Sequence, residues 1–175
     1  MCIEDDLKKS IGALEDLGKM IEKRKMMDPE YPIITAYSLL TAYSAFEKAS
    51  KDIITKYFSS HGDQRILNVV DHVLKIHNPS YEAILEALGK IDKDWKRMVK
   101  KHMEGKHETI SAINSLVNNR NSLSHACNIS CTYKEVIQYF SNAVEFLSIL
   151  ENVVLQTRHI SAICATLCEN MSSPD

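Results

Sequence analysis

Residues 118–127 read NNRNSLSHAC and gather one Arg, one His, three Asn and two Ser within ten positions. His125 has a reference pKa of about 6.5, which suits it to giving and taking protons near neutrality. Arg120 offers a fixed fork of donors that matches a phosphate. On a helix turning about 100° per residue, Asn121 and His125 lie roughly 40° apart, whereas Arg120 and His125 lie roughly 140° apart. Asn121 can therefore touch and orient the imidazole, and Arg120 can share a cleft with it only through its long side chain. A second copy of the chain across a two-fold axis could complete the set. The same residues also have a plainer use. Arg120 can cap the last carbonyls of a helix, and His125 suits the negative end of the helix dipole.

Other chemistry is easier to set aside. Ser122 and Ser124 lack the nucleophile elbow and oxyanion loop of a Ser–His hydrolase. The five cysteines are Cys2, Cys127, Cys131, Cys164 and Cys168. Two pairs have the i, i+4 spacing that could place sulfurs on one helix face for zinc, but the tight two-residue spacing of a zinc knuckle is missing, so core thiols are the simpler reading. The remaining histidines, His61, His72, His77, His102, His107 and His159, show no metal spacing. No metal and no cofactor is called for. Residues 90–107 carry seven Lys or Arg against three Asp or Glu, a local charge of +4 in a chain whose total is −2. The whole chain is thus no electrostatic nucleic-acid binder, while Lys93, Arg97, Lys100 and Lys101 form a stripe that can bind phosphates or simply face solvent.

The elements that must position these residues are helical. Gly and Pro number only five and four in 175 residues, and 45% of the chain is hydrophobic. Ile3, Leu7, Ile11, Leu14, Leu17 and Ile21 recur at steps of three and four, which predicts an amphipathic helix over 3–26. Pro29 and Pro32 should break it. Residues 33–58 are apolar over most of a helical circumference, as expected of a central helix. Helices follow at 64–77, 79–103 (bent at Gly89, with Asn78 as cap and Pro79 first), 107–125 and 132–155. Thr132 and Glu135 fit a capping box. A short apolar segment should run to about 168. The expected fold is all-α: one up-and-down bundle of five or six helices over 1–170, with 171–175 a disordered tail. No apolar run approaches the roughly 20 residues of a membrane span, and the acidic start MCIEDDLKK lacks a signal-peptide core. A cytoplasmic protein is expected, with no membrane partner.

RNSLSH resembles the Arg–four residues–His motif, with Asn directly after the Arg, of the HEPN superfamily, and the chain looks closest to its RiboL-PSP-HEPN branch. LTAYSAFEKASKDIITKYF (40–58) is similar to the family's early helix with its FE step; INSLVNNRNSLSHA and TYKEVIQYFSNAVEFLSIL are similar to its motif and closing helices. The likeness covers about 33–155. Many members carry His–Gly where this chain has His125–Ala126, so the turn loses the left-handed freedom of Gly while both principal side chains stay. The resemblance implies a metal-independent RNA endonuclease working as a homodimer, of toxin or defence type, with a cognate antitoxin as a candidate partner. Carried over by position, Arg120 holds the phosphate, His125 acts as acid or base, and Asn121 orients His125 or the ribose. Glu47 is a candidate for polarising the site, or else pairs with Lys51 four residues on. Lys93, Arg97, Lys100 and Lys101 become candidates for RNA binding. The other reading is a non-catalytic HEPN bundle that binds RNA, a nucleotide or a protein.

Overall fold

The computed structural model describes residues 3–24, 28–60, 78–126, 129–156 and 160. Six helices and no strand occur among them: α1 (Ile3–Glu22), α2 (Glu30–Ser60), α3 (Tyr81–Ile91), α4 (Lys93–His102), α5 (His107–Ala126) and α6 (Tyr133–Leu155). The fold is an all-α bundle. The helix expected over 64–77, the segment expected up to 168 and the 171–175 tail lie outside the described residues, as do Cys2, Cys127, Cys164 and Cys168. None of the described helices is long and apolar enough to cross a membrane.

Packing organises the bundle around α2 and α6, which make the most extensive contact, with α5 against α6 and α1 against α2. Phe46 of α2 meets Phe146 of α6 at 6.3 Å between ring centroids, and Tyr81 at the start of α3 meets Phe146 edge-on at 5.9 Å. Phe46, Phe140 and Phe146 are fully buried, each worth about 2–3 kcal/mol by area removed from water. The Thr132 hydroxyl and the Glu135 carboxylate form the capping box that starts α6. From the second turn of that helix onward Val136, Phe140, Ala143, Leu147 and Leu150 turn inward. Helix α1 is fixed at two points. Lys48 pairs with Asp6 at 2.5 Å, and the Tyr133 hydroxyl donates to the Leu14 carbonyl at 2.7 Å. Gly18 makes room for that phenol, since a Cβ there would stand 2.5 Å from the Tyr133 oxygen.

Four local expectations need correction. Pro32 does not stop the chain from coiling: α2 begins at Glu30, so Pro32 sits in the first turn, where its missing N–H would have had no partner anyway. Asn78 is not the cap of the next helix. It stands at φ 63°, and Ser80 caps α3 by accepting from the Ala83 amide at 3.3 Å. The single helix expected over 79–103 is two, and the break falls at Asp92 rather than Gly89. Asp92 is extended (φ −148°, ψ 117°), and its carboxylate accepts from the Asp94 and Trp95 amides, so a new helix is capped there. Finally, α2 is central yet not covered all round, because Ile33, Tyr37 and Leu40 remain 67%, 64% and 40% exposed.

Candidate active site

The motif occupies the last two turns of α5. Ile113, Leu116 and Val117 bury the inner face of the preceding turns, and poor helix formers then continue the helix to Ala126. They do so by bonding back to its own carbonyls: Asn119 Nδ2 donates to Ser115 O at 2.9 Å, and Ser124 Oγ to Arg120 O at 3.1 Å. Beyond the turn, Ser130 Oγ donates to Asn119 Oδ1 at 2.9 Å and ties the chain back to the motif.

Arg120 leaves α5 towards α2. Its guanidinium carbon lies 4.9 Å above the centre of the Tyr43 ring, within the roughly 6 Å reach of a cation–π contact. Nη1 donates to Asn78 Oδ1 at 3.4 Å and to Asn121 Oδ1 at 3.3 Å. The Asn78 backbone in turn bonds the Tyr43 hydroxyl. Tyr43, Asn78 and Arg120 thus close a small circuit across three segments of the chain. Burial pushes the Tyr43 phenol above its ordinary pKa, the Glu47 charge adds to the rise, and Arg120 opposes it. The guanidinium is half-buried, pairs with no carboxylate, and keeps Nε and Nη2 without a protein hydrogen bond among the described residues. It does not cap α5. A flat, oriented cation with an open donor edge is what a phosphate oxygen requires.

The other motif residues are placed differently from one another. His125 is exposed in the final turn of α5. Asn121 turns its carbonyl oxygen to Arg120 rather than to the imidazole. Glu47 lies one turn along α2 from Tyr43 and accepts from Lys51 Nζ at 2.9 Å, the plainer of its two expected uses. No described group of His, Cys, Asp and Glu could hold a metal ion. Cys131 is half-buried, and burial pushes its thiol up, away from the reactive thiolate.

The basic stripe forms a separate place. Lys93, Lys96, Arg97, Lys100, Lys101 and Glu104 line an open groove on α4, with Arg97 drawn to Asp94 at 3.0 Å. Trp95 anchors this helix on Tyr57, with ring centres 4.7 Å apart, and Tyr57 lies about 21 Å along α2 from Tyr43. The structure does not bring Lys93, Arg97, Lys100 and Lys101 to Arg120 and His125.

A family model described as RiboL-PSP-HEPN matches residues 5–156, nearly the whole described bundle including α1. The chain belongs to the RiboL-PSP-HEPN family. The match also takes in residues 5–30, which the sequence resemblance had left out. No curated protein and no solved structure matches this RiboL-PSP-HEPN chain. HEPN domains commonly bind RNA and dimerise. Within this member, Tyr43 and Asn78 are the site residues that the sequence concealed. Tyr43 reads as one more apolar position of α2, and Asn78 as a helix cap. The nearest clue is Asn before Pro79, a pair that favours tight turns.

Proposed function

We propose that this HEPN protein is a metal-independent RNA endonuclease with a composite Arg/His site at a homodimer cleft, acting in the cytoplasm as a toxin or defence enzyme. A cognate antitoxin would fit as its inhibitor. The reading rests on one observation above others: Arg120 is laid flat on Tyr43, unpaired with any carboxylate, and presents a free N–H edge on the helix that ends in exposed His125.

The chemistry follows from those groups. His125 takes the proton from a ribose 2′-hydroxyl, whose oxygen attacks the neighbouring phosphorus. The bond from phosphorus to the 5′ oxygen breaks, and that oxygen leaves with a proton from an imidazolium, supplied by the second copy across the two-fold axis. Products are a 2′,3′-cyclic phosphate and a 5′-hydroxyl. Arg120 meets the charge that builds on the phosphate oxygens. Asn121 acts on Arg120, steadying the guanidinium from its own helix.

Purified protein should cut RNA in the presence of EDTA and leave DNA intact, since DNA lacks the attacking hydroxyl. His125→Ala should lower the rate by about 10²–10⁴, and Arg120→Ala by a comparable factor, with the helical signal retained in both. One observation favours the non-catalytic reading: His125 has no hydrogen-bond partner to orient it among the described residues. If wild-type protein leaves every RNA whole yet binds RNA, a nucleotide or a protein tightly, that second reading replaces the first.

A further inference from the structure

The exposed stripe of α2 is the largest apolar feature that the bundle leaves uncovered among the described residues. Ile33, Tyr37 and Leu40 account for three of its five exposed large hydrophobic side chains. With exposed Ser44 they fall within roughly 60° of arc on the helix. A shallow groove beside α1, lined by Ser10, Tyr37, Leu40, Thr41, Ser44 and Lys48, continues the same surface. We infer that this stripe is the homodimer contact, with α2 packing antiparallel on α2 of a second copy about a two-fold axis at Leu40–Thr41. The inference rests on the dimer in the proposed function and specifies which surface makes it.

Three features select this arrangement over another occupant. The first is self-complementarity. An axis at Leu40–Thr41 sets Tyr37 over Ser44 of the second copy, large against small. It also sets Ile33 against the aliphatic stem of Lys48, and acidic Glu30 opposite basic Lys51, so each end of the stripe meets the opposite charge. Second, antiparallel packing opposes the two helix dipoles favourably. The third feature is the site itself. Tyr43, which carries Arg120, lies about a quarter-turn round the helix from the stripe and about 4 Å along it from the axis. A two-fold axis lying in the interface across the helices keeps both Tyr43–Arg120 pairs on one side, about 8 Å apart along the helix direction. A parallel pairing would send them to opposite sides. Only the antiparallel contact gives one cleft two guanidiniums, and it compensates for the 140° that separates Arg120 from His125 on a single α5.

Light scattering on wild type, Tyr37→Glu and Leu40→Glu tests the surface, with circular dichroism as the check on folding, because both side chains are exposed. Wild type should weigh twice the 19.9 kDa of the chain. Both variants should weigh 19.9 kDa with unchanged helicity and lose RNA cleavage by at least tenfold. Leu40→Cys should also cross-link as a dimer on oxidation, whereas Lys56→Cys, roughly 45 Å from its copy in this arrangement, should match the background of wild type. A wild-type dimer that survives both Glu substitutions, with no Leu40→Cys cross-link, overturns this surface and leaves the dimer standing. A wild-type monomer at high concentration overturns both. Monomeric variants that still cut RNA at the wild-type rate show that the contact does not build the site.

Discussion

Replacing Tyr43 with leucine removes the surface on which the Arg120 guanidinium lies and leaves an apolar side chain of fair size in its place. The guanidinium stands 4.9 Å from the ring centre and is half-buried, so the contact belongs between the exposed and desolvated limits, about 1–2 kcal/mol. If the orientation it gives is used in full in the transition state, kcat should fall about 5- to 30-fold. KM should change little, because the charge that Arg120 meets grows only as the phosphate reacts. Stability cannot serve as the readout. Tyr43 is 3% exposed, and cutting down a buried ring lowers the melting temperature whatever its role. The comparison is therefore Tyr43→Phe, which keeps the ring face and loses only the hydroxyl bond to the Asn78 backbone. At a temperature where all three proteins are folded, single-turnover cleavage of a short RNA should place Tyr43→Phe within a few-fold of wild type and Tyr43→Leu well below it. Equal rates for wild type and Tyr43→Leu would refute the role of the ring. Equal losses in both variants would assign it to the hydroxyl instead.

Thr132→Ala removes the acceptor that starts α6 and should cost about 1 kcal/mol, read as a lower midpoint in urea. Glu135 has its pKa lowered by the Thr132 backbone and hydroxyl bonds. The stability it adds is therefore present above the ordinary glutamate range and is lost as the pH falls through its depressed folded value. The difference between wild type and Glu135→Gln should shrink over that acid window; a constant difference from pH 7 down to pH 3 would count against the box. Gly18→Ala should lower the melting temperature, because its Cβ would meet the Tyr133 hydroxyl at 2.5 Å. Adding Tyr133→Phe should relieve part of that loss, and a purely additive pair would show that the clash is not the cause. Lys100→Ala with Lys101→Ala should weaken RNA binding and flatten its salt dependence. An unchanged salt slope would make the α4 groove a solvated face.

Periodicity carried most of the fold into the sequence. Apolar steps of three and four in α1, α5 and α6 reflect burial on one side of a helix, and the Thr132–Glu135 box is a local bond pattern that needs no tertiary information. What failed was decided by contacts between distant segments. Asp92 breaks a helix because its carboxylate captures two amides, whereas Gly89 allows a bend without requiring one. The sequence of α2 does not distinguish its covered apolar residues from Ile33, Tyr37 and Leu40, because composition does not say which side receives a neighbour. Arg120 and His125 stood out as residue types at a spacing. Tyr43 and Asn78 did not, since they lie 77 and 42 positions before Arg120, and only the packing of α2 beneath α5 gives them work.

The crowding of Asn and Ser around Arg120 then has a physical account. A helix end rich in Ala and Leu would be more stable in isolation, because short polar side chains compete with the helix for its own backbone. Here the competition is turned inward, as Asn119 and Ser124 satisfy carbonyls of α5 itself, and Ser130 fastens the following turn to Asn119. Their small side chains also leave space beside the guanidinium, where long or branched residues would lean over its open edge. Asn121 adds an acceptor without adding charge, and Asn78 does the same from the opposite segment. A carboxylate at either position would hold Arg120 more strongly, yet it would neutralise the one cation that a phosphate must meet. Neutral acceptors and an aromatic face therefore suit this arginine better than an ion pair: they fix its plane and leave its charge unspent.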